Sequence, residues 1–407
     1  MTVASESSPS YHGWKVVAAG ALGAMVSFGS LFVYTFSVFL KPLTAEFGWS
    51  REEASRGFAV AALSVAVASP LLGRALDRMA PRKILLPAFV IFGCGVAALS
   101  LLQGSLAQFY LTLLVIGLFA NATTQMGYSG AVSSWFTKRR GVALALVTGG
   151  VGVGSMLHPL LSQWMISNYG WRAAYLLLGG MILVCGIPLT ALWVRRRPAV
   201  VASKSLPEKP GASVREALAS REFWFLVLTL FLSSMAANGS LTHMAAHLTD
   251  RGLTPGSAAL VTGLLGAANL IGRFLTGWLL DRYSGPRLSF VLLILMAMGM
   301  MFAREAASLP VAILSAILIG IGLGGEADVT PYLLSRYFGL LNFSLLYGLT
   351  WTFYALAGAA GPVVFGRVFD QTGSYALVLM AGAGLTVVSA IFMLLLREPK
   401  PLVDSSY

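Results

Sequence analysis

Arg273 lies in the middle of Ala258–Leu280, a run otherwise free of charge and long enough to cross a membrane. Its guanidinium keeps its proton inside a protein. Placing it at a bilayer centre costs at least ~2.5–3.5 kcal/mol. Such a group is retained where it faces water and acts there. The planar fork fits a carboxylate bidentately, so recognition of an anion is the simplest chemistry open to it. The structural alternative is an interhelical ion pair, for which Asp328 is the available acid. Asn269 stands one turn from Arg273 on the same face. Tyr34, Tyr128, Tyr332 and Tyr354 fall inside other apolar runs. Each offers an apolar ring with a hydroxyl, which suits either a small carboxylate with an apolar tail or ordinary packing. Asn121 and Gln125 form a polar pair at i, i+4, able to bond a ligand or to join helices.

Proton-carrying groups are few. Glu326 and Asp328 sit deep in one apolar run. Spaced by two, they point about 160° apart, so both cannot face one cavity squarely. Asp328 shares a face with Tyr332, and that face is the expected one. His243 and Asn238 lie toward the outer half of another run. The histidine can relay a proton or simply join helices. His158-Pro159 is expected to mark a kink. No triad, paired catalytic carboxylates or metal-ligand spacing is present, so no enzymatic activity, metal or cofactor is expected. Glycine runs such as Gly149–Gly154 and Gly320–Gly325 precede no strand, which excludes a nucleotide-binding reading. Cys94 and Cys185 stand singly in apolar runs and are read as packing residues.

Positioning these groups falls to an all-helical membrane architecture. Of 407 residues, 57% are hydrophobic and 11% charged, against about 25% charged in soluble domains. Mean hydropathy is +0.78. Twelve apolar runs of spanning length fall at roughly 14–40, 54–76, 84–102, 106–135, 141–165, 173–193, 223–247, 258–280, 288–303, 309–335, 342–366 and 375–396. The polar start of the chain lacks a basic region, and the first run is too long for a signal-peptide core. With the N-terminus inside, 20 of the 28 Lys and Arg residues fall on inner loops and ends, and seven fall outside; Arg273 is the remaining one. The positive-inside rule therefore places both termini in the cytoplasm of a plasma (inner) membrane. The net charge of +12 is a topology signal and does not indicate nucleic acid. Most tryptophans lie at run ends, as an interfacial belt requires; Trp351 is the exception and lies mid-helix.

The chain repeats itself at an offset of 204 residues. Gly73-Arg-Ala-Leu-Asp77-Arg78 follows the second run and Gly277-Trp-Leu-Leu-Asp281-Arg282 the eighth, and Tyr128 and Tyr332 keep the same offset. The expected organisation is an N-terminal six-helix bundle (1–194), a basic cytoplasmic linker (195–222) and a C-terminal six-helix bundle (223–407). Ser50 with Glu53 and Ser213 with Glu216 have the capping-box pattern, and Thr254-Pro255 suits a helix start.

The paired Gly-x-x-x-Asp-Arg segments resemble the loop signatures of the major facilitator superfamily, with Ala80 in place of a usual glycine in the first copy. The resemblance implies the pseudo-symmetric two-bundle fold, a substrate site between the halves, and a gating role for Gly73, Asp77, Arg78, Asp281 and Arg282. Trp135-Phe136-Thr-Lys-Arg-Arg-Gly-Val-Ala and the entrance His12-Gly13-Trp14 are similar to the monocarboxylate transporter family. In that family the arginine of the eighth helix pairs with the substrate carboxylate. An aspartate is usual at the position of Asn269 and a lysine at that of Tyr34. Exchangers for dicarboxylates carry a second cation near the position of Tyr354. One fixed cation favours a substrate with one carboxylate. The resemblance thus implies a secondary transporter, expected to be a monomer in the lipid bilayer. It would move a lactate- or pyruvate-like monocarboxylate with a proton by alternating access. An organic anion exchanger of the oxalate and formate type, or an exporter of other small molecules, is the alternative. A sensor or membrane enzyme has no supporting constellation.

Overall fold

The computed structural model describes residues 8, 11–136, 139–195, 211–280, 282–339 and 341–396; inside helices, the side chains of Asp77, Arg140, Ala327, Asp328 and Ser344 also fall outside the description. Helices α1 (His12–Met25) and α2 (Val33–Phe47) form the first span, α3 (Arg51–Arg78) the second and α4 (Pro81–Ala98) the third. The fourth comprises α5 (Leu106–Ala120) and α6 (Gln125–Trp135). Helix α7 (Arg140–Trp193) breaks at Gly170, where φ is 83°, and supplies the fifth and sixth. After the short α8 (Val214–Ala219) come α9 (Arg221–Asp250), α10 (Pro255–Leu280), α11 (Gly285–Arg304), α12 (Leu309–Phe338), α13 (Phe343–Thr372) and α14 (Ala376–Leu395). Among the described residues eleven helical stretches are long and apolar enough to cross a membrane, and the longest contains two crossings. No strand forms there; one isolated bridge joins Gly211 to Gly339.

The expected caps are present. The Ser50 hydroxyl accepts from the Glu53 amide at 3.0 Å, and Glu53 accepts from the Ser50 amide at 2.9 Å. Ser213 and Glu216 repeat the pattern at 3.2 and 2.8 Å. The Ser213 amide and hydroxyl hold the exposed Glu216 carboxyl below its ordinary range. Thr254 accepts from the Ser257 amide at 3.2 Å at the start of α10. The backbone stays helical through Pro159, and the interruption comes instead at Gly170. Cys185 packs against the core, whereas Cys94 lies exposed on its helix.

Two spans expected to be continuous are interrupted. The first passes through a wide helical turn, Phe28–Phe32, and the fourth through a tight one, Asn121–Thr123. The Ser30 hydroxyl donates to the carbonyls of Ala24, at 2.9 Å, and Met25. The Phe28 amide donates to the Thr123 hydroxyl at 3.4 Å. The two breaks therefore meet, and serine and threonine satisfy backbone groups that lipid could not.

The halves touch through α2 and α9, α3 and α13, and α7 and α10. These seams are closed on the side away from the chain ends. A Cβ on Gly266 would lie 2.6 Å from the Ser155 hydroxyl, and one on Gly366 would lie 2.7 Å from the Arg51 carbonyl. Toward the chain ends, Gly149, Gly277 and Gly348 would each meet nothing within 4 Å. The same helices thus press together on the far side and part on the terminal side. An ionic cluster reinforces the far side. Asp250 of α9 pairs with Lys41 at 2.8 Å and Arg51 at 2.6 Å. The Arg51 guanidinium also lies 3.6 Å from the centre of the Phe369 ring and donates to the Tyr375 hydroxyl at 2.6 Å.

Candidate functional site

Helix periodicity shows where Arg273 points. Gly263, Gly266, Leu270, Arg273 and Gly277 recur every three or four residues and form one stripe of α10. The first three face α7: Gly263 abuts the Met156 carbonyl, Gly266 abuts Ser155, and Leu270 fills the space beside Gly152. Arg273 is the next member of the stripe, one turn past the last tight contact, and Gly277 beyond it is open. The half-buried arginine therefore sits where the α7–α10 seam begins to part.

Two tyrosines share this place. Tyr34 of α2 and the half-buried Tyr354 of α13 are both close enough to Arg273 to feel its charge, and to feel each other. They come from opposite halves. The Tyr354 phenol lies beside Asn238 and Ser234 of α9, and Asn238 donates to the Ser234 hydroxyl at 3.2 Å. Ser234 also donates to the Tyr354 carbonyl at 2.9 Å. The adjacent Ser233 donates its hydroxyl to one carboxylate oxygen of Glu326, which is 5% exposed. The other Glu326 oxygen has no hydrogen-bond partner among the described residues. Glu326 also acts electrostatically on Tyr354. Tyr354 thus feels both the Arg273 charge and a buried carboxyl, with the Ser233-Ser234 pair beside it. The two serines were not singled out in the sequence; their signal is an adjacent hydroxyl pair inside an apolar run.

Other expected site residues lie elsewhere. Tyr128 is completely buried, donating to or accepting from Thr190 at 2.8 Å. Its ring packs on Gly20 and Gly23 of α1, so it belongs to the core of the first half and not to the seam. Asn121 donates to the Ser69 hydroxyl at 2.7 Å and ties the tight turn of the fourth span to α3. Gln125 accepts from Thr148 at 2.7 Å. Tyr332 packs against Gly285 at the start of α11, with the Arg336 guanidinium 5.8 Å from its ring centre, about two turns beyond the level of Arg273. Asn269 is half-buried and its backbone abuts Gly324 of α12, so it turns partly away from the seam.

His243 faces the far-side cluster. Its Nδ1 meets the Tyr375 hydroxyl at 2.7 Å, and its Nε2 meets the Pro362 carbonyl at 2.9 Å and the Ser55 hydroxyl at 3.1 Å. The structure thus assigns it to the closed end, away from the parted seam. In the paired loop segments, Gly73 has room around it, Arg78 is exposed, and Arg282 stacks 3.7 Å from the Trp278 ring centre. Asp281 and the side chains of Asp77 and Asp328 lie outside the description.

Comparison with known proteins agrees with this fold. Residues 20–341 match the Major Facilitator Superfamily model. Monocarboxylate transporter 13 of Rattus norvegicus is 28% identical over 399 residues, covering 94% of this chain and 89% of the relative. Monocarboxylate transporter 11 of Homo sapiens is 26% identical over 400 residues, covering 94% and 82%. An uncharacterised transporter of this superfamily from Escherichia coli, YhjX, is 25% identical over 323 residues, covering 78% and 79%. Among solved structures, a bacterial homolog of the human lysosomal transporter Spinster, inward-facing and unoccupied, has a TM-score of 0.71 at 17% identity. It covers 95% of this chain and 96% of its own.

Proposed function

The chain belongs to the Major Facilitator Superfamily, and we propose that it is a secondary transporter of a small organic monocarboxylate, moved together with a proton. The observation that carries this reading is the place of Arg273, a guanidinium on the seam-facing stripe of α10 where tight packing ends. Tyr34 and Tyr354 approach it from opposite halves. A single carboxylate fits the fork bidentately, and the phenols can orient it.

The geometry supports alternating access. Closing the seam on the terminal side would withdraw the guanidinium from water. A bound carboxylate supplies charge-assisted bonds that hold in that closed state. Lysine and arginine distribution puts the chain ends in the cytoplasm, so the arrangement described here is open inward in the plasma membrane. Burial of Glu326, its bond from Ser233 and its influence on Tyr354 support it as the proton carrier of this reading, with Asp328 the neighbouring candidate.

Uptake of labelled lactate and pyruvate into proteoliposomes under an inward proton gradient tests the reading. Arg273→Lys keeps the charge but loses the fork, and uptake is expected to fall about tenfold or more. Near-normal uptake by that variant would overturn the proposal. Uptake that requires internal anion and ignores the pH gradient would replace symport with exchange.

A further inference from the structure

Trp351 is the tryptophan that the interfacial belt leaves unexplained. Its direction follows from the same periodicity as that of Arg273. Gly348, Trp351, Ala355, Pro362 and Gly366 recur at three, four, seven and four residues, forming one stripe of α13. At the far end this stripe presses on the first half, with Gly366 against the Arg51 backbone. At the terminal end Gly348 is open. Trp351 stands between them and is 39% exposed. Phe353, on the opposite face of α13, is the residue that packs edge-on against Trp224 of α9. The indole therefore points into the parted seam.

Trp351 also belongs to the Arg273 group. Its ring stacks on Tyr354, with centroids 4.7 Å apart and planes at 17°. Tyr347, one turn farther toward the open end, lies 6.1 Å from it, and Phe343 stacks on Tyr347 at 5.8 Å. An aromatic ladder thus climbs α13 from the open end and stops at the tyrosine that feels the arginine. Resting on the monocarboxylate reading, we infer that this site takes aryl-bearing monocarboxylates, of the arylacetate or arylpropionate type, in preference to lactate-sized acids. The carboxylate sits on Arg273, and the aryl ring lies against the exposed part of the Trp351 indole. Aromatic contacts add to area burial through offset or edge-to-face geometry, and a lactate methyl cannot make them.

The test is competition for binding and uptake in proteoliposomes, comparing phenylacetate and 3-phenylpropionate with acetate and lactate. In the unmodified protein the aryl acids are expected to act at concentrations at least fivefold below those of the aliphatic acids. Trp351→Leu is expected to remove that preference, weakening the aryl acids at least fivefold more than acetate and lactate. Trp351→Phe, which keeps an aromatic face, is expected to retain most of it. Equal potency of aryl and aliphatic acids in the unmodified protein overturns the inference and leaves the monocarboxylate reading standing. So does an equal loss of both classes in Trp351→Leu when Trp351→Phe loses both as well. Failure of every carboxylate to bind or compete overturns both readings.

Discussion

Asp370 caps the helix that Arg51 begins, although the two are 319 residues apart. The Asp370 carboxylate accepts from the Arg51 amide at 3.0 Å and from the Glu52 amide at 2.8 Å. The first amides of a helix have no partner within it, and the positive end of its dipole favours an anion. Here that anion comes from α13 in the other half. The cap exists only while the far side is closed, so it contributes to one conformation and not to the other. Asp370→Asn removes the charge and one acceptor. A lost cap costs about 0.5–2 kcal/mol, so the closed far side is expected to lose population several-fold. Spin-label distances across the α3–α13 end would show a growing long-distance component. An unchanged distribution would show that Asp370 has no part in holding this end.

The His243–Tyr375 contact admits one arrangement of protons. Arg51 donates to the Tyr375 oxygen, and the Pro362 carbonyl can only accept. Tyr375 therefore donates to His243 Nδ1, and Nε2 carries the hydrogen that Pro362 accepts. A second proton on the imidazole would set two donors against each other beside Arg51. The charged and titratable groups around this ring are Arg51 on α3, His247 on α9 and Tyr375 before α14, with Asp250 and Asp370 beyond Arg51. Acid is therefore expected to loosen the far-side closure. The same spin-label distances should lengthen as pH falls, and His243→Gln should flatten that response. A response of equal slope in the variant would place the sensor elsewhere.

Tyr128 distinguishes packing from binding. It sits in the first half's core, where a Cβ on Gly23 would come within 2.6 Å of its ring carbon. Tyr128→Phe removes only the bond to Thr190, so a loss of about 1 kcal/mol in stability is expected. Thermal unfolding should shift down by a few degrees while the KM for a carboxylate stays within twofold. A large rise in KM at unchanged stability would return Tyr128 to the substrate site.

These cases show what the sequence made legible. Apolar run length located every span, because lipid demands about twenty apolar residues per crossing. Capping boxes at Ser50 and Ser213 were visible because their partners are three residues away. Arg273 stood out because a charge in an apolar run has few explanations. The direction of Tyr128 was hidden, since periodicity gives a face but not the neighbour opposite it. The breaks at Phe28–Phe32 and Asn121–Thr123 were hidden for a related reason: the hydroxyls that stabilise them are supplied partly by the other span. The Arg51–Asp370 cap was hidden because nothing local pairs an amide with an acid 319 residues away.

Glu326 offers the sharpest test of coupling. The Ser233 hydroxyl donates to one of its oxygens, and Gln at this position keeps an oxygen acceptor for that bond. Glu326→Gln therefore preserves the local hydrogen bond while removing the ionisable proton. If Glu326 carries the coupled proton, uptake driven by a pH gradient should fall at least tenfold. Exchange of labelled for unlabelled carboxylate across the membrane at equal pH should survive, because Arg273 and Tyr354 remain in place. Loss of both activities would make Glu326 a structural member of the α9–α12 contact. Retention of full gradient-driven uptake would move the coupling to another group, with Asp328 the first to examine by the same substitution to Asn.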